Sequence, residues 1–383
     1  MIGRPSTTCV HIITSEYPPD IGGVSDYTRL VAESLATAGD DVHVWCPEAS
    51  PRTSDSNVHI HPNAGRFSPS DLRRLTSLLS PFPAPRRLLV QWVPHGFGYH
   101  SMNLWLCLWL AGRAMTGDRV ELMVHEPFIE FRGALRHLVM ALVHRVMTVV
   151  LMATADRVWV AIPAWESKLR LYALGRRVRI EWLPIPGCFV SSPGSEGDCI
   201  RNAYAAKEQP LVGHFGSYGN SVSSLLEERL GPIMDSRPWP ALLLIGAGSE
   251  TFQGRLVAAH PTWVGRVHAT GYIGPQQLRG CLEACDVLVQ PYPDGISSRR
   301  TSAMAGLSLG RPVVTTSGHL TEGLWGETGA VMLTDVVDPE GFASAVNQLL
   351  ADDERRHTLG AHGRQVYEEH FSVGRTVNAL RAA

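Results

Sequence analysis

The sequence predicts an α/β protein of two Rossmann-like doubly wound domains facing a cleft. Three observations carry this. Short continuous apolar runs rich in β-branched residues alternate with helical stretches from end to end, as expected for parallel strands covered on both faces. The alternation lapses once, in a Pro/Gly/Ser-rich stretch near residue 190, and then resumes. A chain of 383 residues is also longer than one hydrophobic core ordinarily organises.

In order, CVHIIT, DVHVWC, RLLVQWV, VELMVH and RVWVAI read as strands of the first domain. The helix over residues 26–38 keeps Tyr27, Leu30, Val31, Ser34 and Leu35 at helical spacing and stops at Gly39. A second helix covers 135–152. This βαβ series assigns residues 1–187 to one domain. PIPGCFVSSPGSEGD opens a linker over 188–209. LVGHFG, ALLLIG, VHATGY, DVLVQPY, PVVTT and AVML then give a second domain over 210–371. Its last helices, 339–350 and 354–370, carry charged faces that read as solvated surface. Ligands of open parallel sheets bind beyond the carboxyl ends of the strands, so both domains offer loops to the cleft.

Composition narrows the class. A net charge of −2 gives no pull toward nucleic acid, so any basic site is local. Lys168 and Lys207 are the only lysines, and a phosphate site would therefore use guanidinium forks. The seven cysteines are scattered without a paired CxxC spacing and read as buried free thiols; no metal is expected. The N-terminus enters an apolar strand with no secretory leader pattern. Residues 138–153 are interrupted by His144 and Arg145 and read as too short to span a bilayer. The expectation is a cytoplasmic protein. Arg132, Arg136, His137, His144 and Arg145 punctuate an apolar helix, and LWLCLWL is very apolar. Both suit peripheral contact with the inner face of a membrane. They suit a core helix with one polar stripe equally, and the core helix is the expectation.

Several strand ends carry candidate chemistry. The first strand runs into SEYPPDIGGVSDYTR, where Gly22 and Gly23 let backbone approach an anion at a helix start. His125 closes the VELMVH strand, where a doubly wound sheet presents active groups; Glu126 follows it. His95 ends the preceding strand and reads as loop structure or an acceptor contact. Gly216 with Ser217, and Gly246, mark glycine turns after strands of the second domain. In DGISSRRTSAMAGLSLG, Ser297 or Ser298 is placed to cap a helix whose first turn holds Arg299 and Arg300. Cations there oppose the helix dipole by about 0.3–1 kcal/mol unless an anion is present. A diphosphate satisfies both arginines. The bland alternative is a salt bridge to Asp294 or Glu322.

These residues resemble the family 4 retaining glycosyltransferases of the GT-B fold. The likeness runs from EYPPDIGGVSDYTRLVAESLATAGDDVHV through GYIGPQQLRGCLEACDVLVQPY and GRPVVTTSGHLTEGLW to HFSVGRTVNAL. It implies a second domain binding a nucleotide diphosphate sugar and a first domain supplying most of the acceptor site. It also implies a last helix, residues 372–383, packed back on the first domain. It implies catalytic roles for His125, Asp294, Arg299 and Arg300. Donor contacts fall to Gly22, Gly23, Gly216, Ser217, Gly246, Tyr272, Gly295, Ile296, Ser297, Ser298, Ser302 and Glu322, and acceptor-side roles to Glu16, Asp26, His95 and Glu126. Many members carry two glutamates eight positions apart in the Asp294 loop. Here Asp294 takes the first position, which touches the sugar. Ser302 takes the second, where the glutamate holds the ribose hydroxyls, and a serine cannot make that bidentate contact. The usual Arg/Lys clamp of the first second-domain loop is missing from GHFGSYGNS, and Arg299 and Arg300 are its substitutes.

The implied reaction is transfer of a sugar to an acceptor hydroxyl with retention and without a metal or cofactor. The acceptor is a lipid-linked sugar, a polysaccharide end or a small natural product. Two rivals stay open. One is a sugar-nucleotide epimerase. The other is a non-catalytic nucleotide-sugar binder or partner subunit of a glycosyltransferase.

Overall fold

A computed structural model describes residues 8–47, 58–131, 133–187 and 197–382. The chain divides into two compact units, Met1–Pro184 with Val373–Ala383, and Ile185–Ser372.

The N-terminal unit is organised on an all-parallel sheet. Its strands are β1 (Cys9–Ile13), β2 (Asp41–Trp45), β3 (Val58–His61), β4 (Arg87–Trp92), β5 (Arg119–Val124), β6 (Arg157–Val160) and β7 (Arg179–Trp182), in the order β3-β2-β1-β4-β5-β6-β7. Connections from β1 leave in both directions, so the switch point of the doubly wound sheet lies between β1 and β4. β3 and β7 were not marked by apolar runs. Both are edge strands with a single fully buried residue each, so their sequences mix His, Arg and Glu with the apolar residues.

Helix Val373–Arg381 belongs to this unit, packs on helix Gly23–Thr37 and buries Val377 and Leu380. Arg87 donates to the Leu380 carbonyl at 2.6 Å while gripping Glu121 through two 2.8 Å bonds. Arg381 lies 3.2 Å from Asp40.

Helix Leu135–Thr154 corrects the core-helix expectation. Its buried positions include His144, Met147, Leu151 and Met152, whereas Leu135, Val139, Leu142 and Val146 are exposed. The polar residues are the anchored ones. His144 Nε2 lies 2.6 Å from the Ser101 carbonyl, and Arg145 donates to Ile129 and Ala141 carbonyls at 2.9 and 2.8 Å. The Arg145 guanidinium also sits over the Phe128 and Phe131 rings. The helix is long and apolar enough, by length and composition, to cross a membrane. Arg132 lies outside the described residues.

The C-terminal unit repeats the plan with β8 (Leu211–Phe215), β9 (Ala241–Ile245), β10 (Val267–Ala269), β11 (Val287–Gln290), β12 (Val313–Ser317) and β13 (Met332–Asp335), ordered β10-β9-β8-β11-β12-β13. Its switch point falls between β8 and β11. Leu230, Leu242, Leu244, Trp263, Phe342 and Val346 are among its core. Helix Thr301–Ser308 lies close on the sheet because Gly306 has no side chain: a Cβ there would stand 2.6 Å from Leu288. Part of the stretch expected as linker is structured. Helix Gly197–Tyr204 is fastened by Arg201 to the Ala284 carbonyl at 2.9 Å and to Asp286 at 3.0 Å. Residues 188–196 lie outside the described residues.

Candidate active site

In the C-terminal unit the chain leaves β11 through Tyr292 and turns back at Asp294–Gly295. Gly295 has φ +85, and a Cβ on it would fall 2.3 Å from the Gly318 nitrogen and 2.1 Å from Thr321 Oγ1. Only a glycine lets this turn sit against the turn that follows β12. Backbone bonds hold the two together: Leu320 N–H to the Asp294 carbonyl at 3.0 Å and Ile296 N–H to the Thr316 carbonyl at 2.8 Å.

Asp294 gathers both arginines. Arg299 Nη2 lies 2.5 Å from Asp294 Oδ2, and Arg300 Nη2 bonds Oδ1. Burial pushes the Asp294 carboxyl up, but Arg300 and Arg299 outweigh it and hold it below the usual carboxylate range. The Arg300 guanidinium lies 4.5 Å over the Tyr292 ring, a contact worth about 0.5–2 kcal/mol. Arg300 Nε has no hydrogen-bond partner. The pairing with Asp294 is the bland alternative read from sequence, and the structure contains it. Glu322 takes no part in it: its carboxylate accepts from Ser298 N–H at 2.9 Å, Ser298 Oγ at 2.6 Å and Trp325 Nε1 at 2.7 Å.

The capping expectation is corrected. Arg300 N–H bonds the Ser297 carbonyl at 2.9 Å, closing a turn before the helix, and Arg300 itself stands at the N-cap of Thr301–Ser308. Ser298 Oγ is taken by Glu322, and Ser297 Oγ is buried without a partner. The Tyr292 hydroxyl lies 2.7 Å from Ser302 Oγ in the first turn of that helix. Ser302 therefore faces Tyr292. Ile296 is fully buried.

The neighbouring β8 and β9 ends form a second cluster. A Cβ on Gly246, at φ +115, would meet the Gly216 carbonyl at 2.5 Å, and Gly216 N–H bonds the Ile245 carbonyl at 3.1 Å. Helix Asn220–Met234 begins at Gly219 without a side-chain cap. Ser217 lies in this loop; Tyr272, after β10, is largely exposed.

In the N-terminal unit, Glu16 occupies the anion position expected for a ligand at Gly22–Gly23. Its Oε1 accepts from Ser25 N–H at 3.0 Å, and a Cβ on Gly22 would fall 2.4 Å from that oxygen. The unit thus supplies its own carboxylate to the helix dipole. Burial raises the Glu16 carboxyl, against the Ser25 and Val24 N–H bonds. Asp26 sits in the first helical turn, its N–H on the Gly22 carbonyl.

His125 Nε2 lies 2.9 Å from Gln91 Oε1, with its ring edge-on to Tyr27 at 4.8 Å. Burial drives its pKa down to about 3, so it is a neutral hydrogen-bonding ring near pH 7. His95 and Glu126 approach at 3.7 Å. A cavity of about 500 Å³ at the ends of β2, β3 and β4 is lined by residues including Arg66, Phe67, Gly96, Gly98 and His100.

Residues 21–182 match the family described as Glycosyltransferase Family 4, and residues 209–352 match Glycosyl transferases group 1. Each match falls on one doubly wound unit, and together they cover well over half of the chain. The chain belongs to the family 4 glycosyltransferases of the GT-B fold. No curated protein matches it in sequence. Among solved structures, sucrose-phosphate synthase from Thermosynechococcus elongatus superposes with TM-score 0.75 at 19% identity, over 97% of each chain. WaaG, a glycosyltransferase involved in lipopolysaccharide biosynthesis, gives 0.69 at 15%, over 97% of this chain and 99% of its own. Anabaena HepE in complex with UDP-glucose gives 0.65 at 15%, over 98% of each.

In this glycosyltransferase, sequence reasoning missed Tyr292 and Gln91. Tyr292 carried a signal, an aromatic directly beyond a buried strand and two residues before Asp294. Gln91 carried none, because its partner lies on the next strand.

Proposed function

We propose that the chain transfers a hexosyl group from a nucleoside diphosphate sugar to an acceptor hydroxyl, with retention of anomeric configuration and without a metal ion. The observation that carries this is the convergence of Arg299 and Arg300 on Asp294 at the head of helix Thr301–Ser308. This loop lies beside the switch point of the C-terminal sheet, where doubly wound domains bind nucleotides. Two guanidiniums meet one carboxylate there beside the helix N-terminus, and an incoming diphosphate is a stronger partner for them. Relatives of the same fold are known in complex with UDP and with UDP-glucose, which supports a nucleotide sugar as donor.

In the reaction, the bond from the anomeric carbon to the β-phosphate oxygen breaks. The acceptor oxygen bonds the same face of that carbon, and its proton passes to the departing phosphate. Arg299 and Arg300 stabilise the charge that grows on the phosphate. Asp294 contacts the sugar once the arginines turn to the phosphates. Ser302, held by Tyr292, leaves ribose recognition to other groups, among them the Gly216–Ser217 and Gly246 loops. His125, neutral and fixed by Gln91, orients the acceptor hydroxyl.

The exposed apolar stripe of helix Leu135–Thr154 favours a lipid-linked acceptor. Leu135, Val139, Leu142 and Val146 are exposed along it, and Trp105 and Leu108 are exposed on the helix packed beside it. Arg136 is exposed beside the stripe. An apolar face with a cation at its margin suits a membrane interface.

Incubation with nucleotide sugars and lipid-linked or soluble acceptors, with the product read by NMR, tests the reading. A product with the donor's anomeric configuration, formed equally well with and without added Mg²⁺ or Mn²⁺, supports it. An inverted product removes the retaining mechanism. Binding without turnover across acceptors returns the chain to the binder reading.

A further inference from the structure

A second cluster of chemistry-bearing side chains lies near the amino ends of β1, β2 and β3, away from the carboxyl-end loops. The parallel register pairs Cys9 with Asp41, His11 with His43, and His43 with His59. Alternate residues of a strand share a face, so Cys9, Asp41, His43 and His59 stand on the same side of the sheet. Ligand atoms of Cys9, Asp41 and His43 lie within 4.8 Å of one another. His43 Nε2 is 3.2 Å from Asp41 Oδ1, and His59 Nε2 is 3.5 Å from the same oxygen.

The 3.2 and 3.5 Å separations match a common centre, and the Cys9 sulfur lies within reach of it. In a tetrahedral zinc site, with bonds of about 2.0–2.3 Å, ligand atoms stand about 3.4 Å apart. His43 is nearly buried, and its Nε2 has no well-directed hydrogen bond of its own. Its other nitrogen, Nδ1, lies 2.8 Å from His61 Nε2, the outer contact that fixes the tautomer and orientation of a metal-bound imidazole. Phe82 packs edge-on against His43 at 4.6 Å and gives the position an apolar wall. His59 is exposed on the edge strand, which leaves a route for an ion from solvent.

We propose that Cys9, Asp41 and His43 bind Zn²⁺ or a transition metal of like character, with His59 closing the fourth position. Thiolate, imidazole and carboxylate together select such metals over Mg²⁺ or Ca²⁺. The thiol proton passes to solvent as the metal–sulfur bond forms. The ion ties β1, β2 and the four-residue edge strand β3 together, a structural role separate from sugar transfer. The members come from three strands, so no sequence spacing announces the site.

Titration of the purified full chain with Co²⁺ tests this, read by tetrahedral d–d absorption and the thiolate-to-cobalt charge-transfer band. The expected result is one equivalent bound, displaced by Zn²⁺, with the charge-transfer band lost in Cys9→Ser and kept in Cys199→Ser. His59→Gln, at an exposed position, should weaken binding at least tenfold. A wild type without a tetrahedral spectrum overturns the proposal. So does a charge-transfer band that survives Cys9→Ser, or a His59→Gln variant that binds as tightly as the wild type.

Discussion

Asp294 and the arginines it gathers set what single substitutions should do. With Asp294 changed to Asn, one negative charge leaves the place proposed for the diphosphate, and both guanidiniums lose a charged partner. Nucleoside diphosphate affinity, measured by calorimetry, should rise while transfer rate falls. Weaker binding would mean that the carboxylate chiefly holds the arginines in position. His125, with its pKa near 3, stays neutral throughout the working range. His125→Ala should lower kcat on the order of 10²-fold by misplacing the acceptor, without removing any limb of the pH–rate profile between pH 5 and 8. A limb near pH 6.5 that vanishes in the variant would show that the ring titrates during turnover. The arginines were legible in sequence because adjacent cations at a helix start break a local rule. Their partner was legible only as one of two, since Asp294 and Glu322 look alike until the fold turns Glu322 toward Ser298 and Trp325. The place of Glu16 at the Gly22 turn was not legible for a similar reason. A carboxylate supplied by the chain fills the same place as a ligand.

Elements were easier to read than residues wherever burial was two-sided. The inner strands β1, β2, β4, β5, β8, β9 and β11 are continuous apolar runs because both faces are covered. β3 and β7 escaped because an edge strand needs only one apolar face. Helix Leu135–Thr154 was found within two residues, but the apolar stripe it leaves exposed was not. Periodicity shows two kinds of face without saying which one the sheet takes, and His144 and Arg145 are held inward by backbone carbonyls. Co-sedimentation of the wild type with anionic vesicles, against Leu142→Glu with Val139→Glu, checks the exposed face. The wild type should pellet and the double variant stay in solution, with soluble-acceptor transfer unchanged. At the Asp294 turn, Gly295→Ala meets a positive φ and a Cβ clash together. The expected loss is about 1–3 kcal/mol of stability by denaturant unfolding, with donor binding lost as well. A fully stable variant that still binds donor would show that the turn can open.

Across the whole molecule, buried histidines contribute to the response to acid. His214 is fully enclosed on β8, and burial takes its pKa from 6.5 to about 3; His125 is lowered likewise. The folded pKa lies below the unfolded one, so between them the unfolded chain holds protons that the folded chain does not. Stability is therefore complete above pH 6.5 and falls as the pH drops toward 3. For His214 the loss is about 1.4 kcal/mol per pH unit, or roughly 2 kcal/mol by pH 5. Urea midpoints at pH 7.5 and pH 5 should separate accordingly, and His214→Gln should narrow the gap. Equal midpoints would mean that the ring is reached by water in the folded state. Two doubly wound units were legible from the repeated strand–helix rhythm, and the proposed donor site rests on one loop of the second. That loop is the centre of the account. Thermal stabilisation by UDP, GDP, ADP, dTDP and UDP-glucose, compared between wild type and Arg300→Ala, tests it most directly. At a hundred times its dissociation constant, the right ligand should add about 2.7 kcal/mol to the wild type, and the variant should lose most of that gain. An equal gain in the variant, or none in the wild type with any of the five, would contradict a diphosphate site at Arg299 and Arg300.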